Sequence, residues 1–182
     1  MRHPLKTLLA IVTFAVSLTG SALSAKVPGE AAMNLSSPDF SEGGNIPERY
    51  TCDGKDVSPT LKIAGIPKEA KSLALIVDDP DAPGGNFSHW LLWNIGPDQA
   101  EILAKSLPHH AVQGVNDFGK SKYSGPCPPP GTHRYYFRLY ALDTTLTLPA
   151  SSKRKVVDSA IKGHIIAEAT LMGRYARKGS TR

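Results

Sequence analysis

Short apolar segments separated by loops run through most of the chain. Residues 133–142 give the clearest pattern, with alternate positions apolar, and this period of two is typical of a strand with one buried face. The apolar face there consists of Tyr135, Phe137, Leu139 and Ala141, and the other face of Arg134, Tyr136, Arg138 and Tyr140. A continuous apolar run over 72–79 predicts a strand buried on both faces, and residues 89–95 predict another strand.

The pattern changes after residue 150. Ser151 or Ser152 is placed to cap a short helix, and Gly163 is placed to end it in a left-handed conformation. The apolar face of this helix consists of Val156, Val157, Ala160 and Ile161. Residues 165–175 fit either a strand or a continued helix. Several short strands with little helix predict a mainly β protein, a β-sandwich with a short helix near the C-terminus.

The composition favours one turn-rich domain. The 182 residues include 16 glycines and 15 prolines, too many for a helical bundle, and 41% of positions are hydrophobic, enough for a core. We find no internal repeat and no low-complexity tract. We therefore expect a single domain over residues 26–182.

The first 25 residues have the pattern of a secretory signal peptide. A basic start precedes an apolar run over 8–18, and small residues follow it. This run is too short to span a bilayer, which requires about 20 residues, and we expect no transmembrane span elsewhere. The sequence therefore predicts export, to the periplasm if the source is a Gram-negative bacterium.

The charge of the chain argues against nucleic-acid binding. The formal net charge is +5, and removal of Arg2 and Lys6 with the signal peptide leaves about +3. The remaining basic residues are spread along the sequence, apart from the run at 153–155. A nucleic-acid partner would require a basic stripe or cluster.

Two cysteines, Cys52 and Cys127, have two interpretations. In an oxidising compartment they can form a disulfide that stabilises the fold by about 4 kcal/mol. Alternatively, both are free, small, buried residues.

Three polar segments interrupt or end the apolar strands. The first, over 78–85, contains three aspartates in four residues and has the composition of a turn. The second is His89, at the start of a strand, where a structural histidine is the common case. The third, over 123–135, is rich in proline and glycine and ends in a histidine and aromatic residues at the start of the clearest strand.

Together these segments resemble the phosphatidylethanolamine-binding protein family, most closely its bacterial Raf-kinase-inhibitor-like branch of YbhB/YbcL type. The matching text is Asp79-Pro80-Asp81-Ala82-Pro83, His89-Trp90, Asn116-Asp117-Phe118-Gly119, residues 123–135, and residues 163–175. Thr51-Cys52-Asp53-Gly54 adds the amino-terminal signature of this branch. The resemblance covers almost the whole chain after the signal peptide.

The resemblance implies two antiparallel sheets and a small pocket for anions at one end of the sandwich, without a cofactor. Position by position, it implies a ligand-binding set of Asp79, Asp81, Pro83, His89, Tyr123, Gly125, Pro126, His133 and Tyr135. Cys127 stands where the mammalian branch has proline. The chain ends soon after Tyr175, so the C-terminal helix of mammalian members is not transferred to it.

An anion such as a phosphoryl headgroup is bound by hydrogen-bond donors that point at it. We expect them from the backbone N–H groups of Ser124 and Gly125, from a protonated His89 or His133, and from the Tyr135 hydroxyl. The expected role of Asp79 or Asp81 is to accept a hydrogen bond from one histidine, so that its other nitrogen donates to the ligand. This hypothesis describes a binding protein that catalyses no reaction.

Two other functions fit the same sequence. His89, His133 and Asp79 have the residue types of a catalytic zinc site, which would make the protein a metal-dependent hydrolase. Alternatively, the surface around the pocket binds a protein partner, as in the kinase or protease inhibition assigned to members of the family. The sequence selects no partner, and it leaves the oligomeric state open, a homodimer included.

Overall fold

The computed structural model describes residues 32–178, and the predicted signal peptide over residues 1–25 lies outside this part. The described part contains strands of 2 to 12 residues, one α-helix and a 3-10 turn at Glu48–Tyr50. In chain order the elements are β1 (Asn34–Ser36), β2 (Leu61–Ala64), β3 (Ser72–Asp79), β4 (Phe87–Ile95), β5 (Glu101–Ile102), β6 (Val112–Gln113), β7 (Thr132–Leu142), α1 (Arg154–Ile161) and β8 (Ile165–Ala176).

The strands form two antiparallel sheets, which confirms the predicted fold class. The larger sheet has the order β6-β4-β3-β7-β8, and the smaller has the order β1-β2-β5. An apolar layer between the sheets includes Leu35, Leu61, Leu75, Trp90, Phe137 and Leu139. A second layer covers the outer face of the larger sheet and includes Ile76, Leu91, Trp93, Val157 and Ile161. Strand β3 lies between both layers, which explains its continuous apolar run.

The C-terminal elements differ from the prediction in two details. The helix begins at Arg154 with Lys153 as its N-cap residue, so the prediction of a cap at Ser151 or Ser152 was wrong. Lys153 takes this position because its backbone oxygen accepts the first hydrogen bond of the helix, from Val157 N at 3.2 Å, whereas the Ser152 oxygen accepts from Val115 N at 2.9 Å. Val156, expected on the buried face, is 46% exposed.

Residues 165–176 form a strand, and the alternative of a continued helix was wrong. Gly163 adopts φ +84°, which ends the helix, and β8 then pairs with β7 over the whole length of that strand. Within residues 32–178, no helix combines the length and hydrophobicity needed to cross a bilayer.

Candidate functional site

The side chains of the two aspartates that end β3 lie on opposite faces of the larger sheet. Because successive strand residues alternate, Asp79 points toward the layer between the sheets and Asp78 toward α1. Asp78 is fully buried and pairs with Arg138 and Arg154. Asp79 is therefore the residue available to the candidate site, and Asp78 anchors the helix.

Asp79 orients His133 on the neighbouring strand β7. Its Oδ2 atom accepts a hydrogen bond from His133 Nδ1 at 2.7 Å, and the two side chains are only 5% and 9% exposed. Since Nδ1 is occupied in this way, a protonated His133 has one remaining donor, Nε2–H, which points away from Asp79. Asp79, rather than Asp81, is the aspartate that holds a histidine.

Asp81 forms a bidentate ion pair with Arg134 at the edge of the candidate site. Its Oδ1 accepts from Arg134 Nη2 at 2.6 Å, and its Oδ2 accepts from Arg134 Nε and from the Arg134 backbone N–H, both at 2.9 Å. This bidentate bond lowers the pKa of Asp81 to about 2. Its own backbone N–H donates to Asp79 Oδ1 at 2.9 Å, so Asp81 fixes the turn that carries Asp79.

His89 on β4 is held by the loop over 123–127. Its Nδ1 donates to the backbone oxygen of Ser124 at 2.7 Å, because a carbonyl only accepts. Burial lowers the pKa of His89, so the ring is neutral at pH 7 and Nε2 carries a lone pair. The expectation of a protonated, donating His89 is therefore corrected: its free nitrogen is an acceptor.

Tyr135 supplies the donor with no partner. Its side chain is fully buried and its ring lies edge-on to the His89 ring, with centroids 5.2 Å apart. Burial, reinforced by the nearby Asp79 carboxylate, raises the pKa of Tyr135, so the phenol keeps its proton. Within residues 32–178, the Tyr135 hydroxyl is one of three buried side-chain polar atoms without a hydrogen bond of ordinary geometry, although the Asp79 carboxylate and the Cys127 backbone lie close enough to act on its pKa. Such a group is costly unless something pairs with it.

The backbone donors expected at Ser124 and Gly125 are already used. Ser124 N donates to the His89 oxygen at 3.1 Å, and Gly125 N donates to Asp56 Oδ1 at 2.6 Å. Gly125 is required for packing, since a Cβ atom there would lie 2.1 Å from the Tyr50 carbonyl oxygen. The expectation that these two N–H groups bind an anion is therefore corrected.

The other predicted residues lie around the site rather than in it. Tyr123 donates its hydroxyl to the Tyr50 oxygen at 2.9 Å and packs its ring against Trp90. Pro126 is buried, and its oxygen accepts from Cys52 N at 3.0 Å, whereas Pro83 is exposed on the turn after β3. The side chains that the structure brings together are those of Asp79, His89, His133 and Tyr135, called the site cluster below.

The two cysteines connect the loops beside the site cluster. Cys52 and Cys127 are joined by a disulfide with their Cα atoms 5.4 Å apart. Both residues are exposed, unlike the alternative of two free buried cysteines. The bond connects the segment after the 3-10 turn to the loop that holds His89.

Sequence reasoning assigned no role to Asn116 and Asp56, which position the site. Asn116 Nδ2 donates to the backbone oxygens of His89 and Lys122 and to Ser124 Oγ, at 2.9–3.1 Å. The Asn-Asp-Phe-Gly segment is a turn composition that signals this residue, whereas nothing in the sequence singles out Asp56.

No set of three His, Cys, Asp or Glu side chains in residues 32–178 has the arrangement of a metal site. The proposed zinc ligands have other partners, since the Nδ1 atoms of His89 and His133 face the Ser124 carbonyl and Asp79. The hydrolase alternative finds no support in this geometry.

The lowered pKa of His89 predicts how stability depends on pH. In the unfolded chain His89 takes up a proton below about pH 6.5, whereas in the folded chain it does so only at lower pH. The free energy of unfolding therefore falls as pH decreases. His89→Asn keeps a donor for the Ser124 oxygen and removes this titration. In urea unfolding between pH 7.5 and 5.5, we expect a shallower decline for His89→Asn than for wild type. Exposed His164→Asn is the control, and equal slopes for wild type and His89→Asn would contradict the assignment.

Comparisons with known proteins agree on one family. The family model described as phosphatidylethanolamine-binding protein matches residues 36–176. A UPF0098 protein from Methanothermobacter thermautotrophicus is 53% identical over 151 residues, which cover 80% of this chain and 99% of the relative. The names of these matches specify no reaction.

Two solved structures are similar to this fold. A phosphatidylethanolamine-binding protein homologue from Chlamydia trachomatis, CT736, superposes with a TM-score of 0.78 at 43% identity, covering 81% of this chain and 99% of that one. Escherichia coli YbcL, described as a member of the mammalian family, superposes with a TM-score of 0.77 at 32% identity, covering 81% and 100%.

Proposed function

Because the chain belongs to the phosphatidylethanolamine-binding protein family, we propose that its site cluster binds a small phosphate-bearing or other anionic ligand and does not convert it. A phospholipid headgroup and a nucleotide-like compound share this chemistry. The observation that carries the proposal is the fully buried Tyr135 hydroxyl without a hydrogen bond, beside two oriented histidines. A ligand oxygen satisfies that donor.

The cluster presents donors and an acceptor together. Tyr135 Oη and a protonated His133 Nε2 donate to anionic oxygens, while the lone pair of neutral His89 Nε2 accepts from a hydroxyl. A phosphate that carries one P–OH group meets both requirements, whereas sulfate has no proton to offer. We therefore expect phosphate to bind more tightly than sulfate.

Sulfate binding tests the role of His133, because sulfate accepts hydrogen bonds and donates none. His133→Asn keeps a donor for Asp79 and removes the second ring nitrogen, so we expect it to bind sulfate at least about tenfold more weakly than wild type at the same pH. Isothermal titration makes the measurement, and equal sulfate affinities of wild type and variant would refute the proposal for His133.

Export is part of the proposal. Support comes from the signal-peptide pattern of residues 1–25 and from the exposed disulfide, a bond that persists in oxidising compartments. N-terminal sequencing of the mature protein, purified from periplasm or medium, tests the cleavage after Ser24 or Ala25. The protein partner and the homodimer remain predictions.

A further inference from the structure

A second cleft, of about 270 Å³, lies beside the loop that holds His89, and no member of the site cluster lines it. We call it the rear cleft and define it by Trp90 and Tyr123 at its floor, Val57 and Leu107 on its walls, and Lys105 and Lys122 at its rim.

The floor of the rear cleft is rigid and apolar. Trp90 Nε1 donates to Gln113 Oε1 at 2.8 Å, and the Tyr123 hydroxyl donates to the Tyr50 oxygen at 2.9 Å. The two rings lock edge to face, with centroids 5.5 Å apart. Since their polar atoms have partners, the part of each ring that reaches the cleft is apolar, and it is small because Trp90 is 2% and Tyr123 6% exposed.

In the part of the chain that the structure describes, the rim of the rear cleft carries two lysines without an ion-pair partner, against one acidic residue in the lining. Among the described residues, no carboxylate pairs with the ammonium group of Lys105 or Lys122 within 4.0 Å. Asp56, the one acidic residue of the lining, uses its Oδ1 to accept the Gly125 N–H. Leu107 on the wall is 43% exposed, so apolar surface continues to the rim.

We propose that the rear cleft binds a small amphipathic carboxylate, with its apolar body over Trp90 and Tyr123 and its carboxylate between Lys105 and Lys122. An apolar pocket with a few charged groups at one side is the usual form of a small-molecule site, and this volume lies just below the typical range of about 300–1,000 Å³. The ligand is therefore a medium-chain or single-ring acid. The inference does not rest on the function of the site cluster.

Octanoate is the probe that tests the proposal, with 1-octanol and octylammonium as matched compounds of different charge. By isothermal titration to the full chain, we expect octanoate to bind more tightly than octanol, and octylammonium to bind most weakly. Trp90 reports binding by fluorescence, and Trp90→Phe removes the response because Trp93 lies in the other apolar layer.

The double variant Lys105→Gln, Lys122→Gln separates charge recognition from apolar binding. Both residues are on the surface of the cleft, and we expect at least a tenfold loss of octanoate affinity with unchanged octanol affinity. Lys71→Gln, Lys162→Gln is the control, with two exposed lysines outside the cleft. Absence of octanoate binding at millimolar concentration, equal affinity for octanol, or an unaffected lysine variant would overturn the proposal. Tyr135→Phe should leave octanoate binding unchanged, so this test stands apart from that of the site cluster.

Discussion

Replacement of Cys52 and Cys127 together by alanine is expected to lower the free energy of unfolding by about 4 kcal/mol. The bond joins residues 75 positions apart, and closing so long a loop removes conformational entropy from the unfolded chain. Because both side chains are exposed, alanine removes little packing, and the loss reports the cross-link itself.

Urea unfolding measures this effect on oxidised wild type, reduced wild type and the double variant. We expect the reduced protein and the variant to unfold at similar, lower urea concentrations than the oxidised protein. If oxidised and reduced wild type unfold at the same urea concentration, the cross-link contributes nothing and the prediction fails.

Asp78→Ala is expected to destabilise the protein by about 3 kcal/mol, through the loss of the partner of two arginines. Asp78 is fully buried, and its oxygens accept from Arg138 Nε at 3.2 Å, from Arg154 Nη1 at 2.9 Å and from Asn86 Nδ2 at 3.1 Å. The variant leaves the partly buried guanidinium group of Arg138 without its ion-pair partner, and leaves Arg154 paired with Asp158 alone. It also removes a polar contact between α1 and the sheet, since Arg154 is the first residue of the helix.

Asp158→Ala is the matched control, because Asp158 pairs with the same Arg154 on the helix surface. Its side chain is 46% exposed, and an exposed pair of this kind contributes about 0.3–0.5 kcal/mol. Thermal and urea unfolding compare the two variants. Equal effects would show that burial of Asp78 has no special energetic consequence.

The pattern of apolar residues was enough to predict most of the larger sheet. Strand β7 lies where the alternation placed it, because a shift of one residue would expose its buried face, whereas β3 is buried on both faces and was predicted from its continuous apolar run. Because successive strand residues alternate, the side chains of Asp78 and Asp79 lie on opposite faces of the sheet. A count of acidic residues in the turn does not distinguish the two. Residues 165–175 were ambiguous because alanine and glutamate suit a helix, and pairing with β7 decided the outcome.

The sequence alone could not predict which atoms of the site donate hydrogen bonds, which accept them and which remain free. Whether Gly125 N is free depends on Asp56, which comes from a distant segment 69 residues earlier. Likewise, the acceptor role of His89 follows from the carbonyl that faces its Nδ1 and from the depth of its burial. Residue type and spacing bring such groups together, but long-range packing decides which atoms remain for a ligand.

The central claim is that the Tyr135 hydroxyl is held without a partner so that an anionic ligand can pair with it. Titration of inorganic phosphate into wild type and Tyr135→Phe, with urea unfolding of both proteins in phosphate-free buffer, tests this most directly. A hydrogen bond to a charged group contributes about 1.5–3 kcal/mol, so phosphate affinity should fall at least about tenfold. Stability should stay equal or rise, because the lost hydroxyl makes no hydrogen bond of ordinary geometry in the free protein. Unchanged phosphate affinity together with reduced stability would contradict the account.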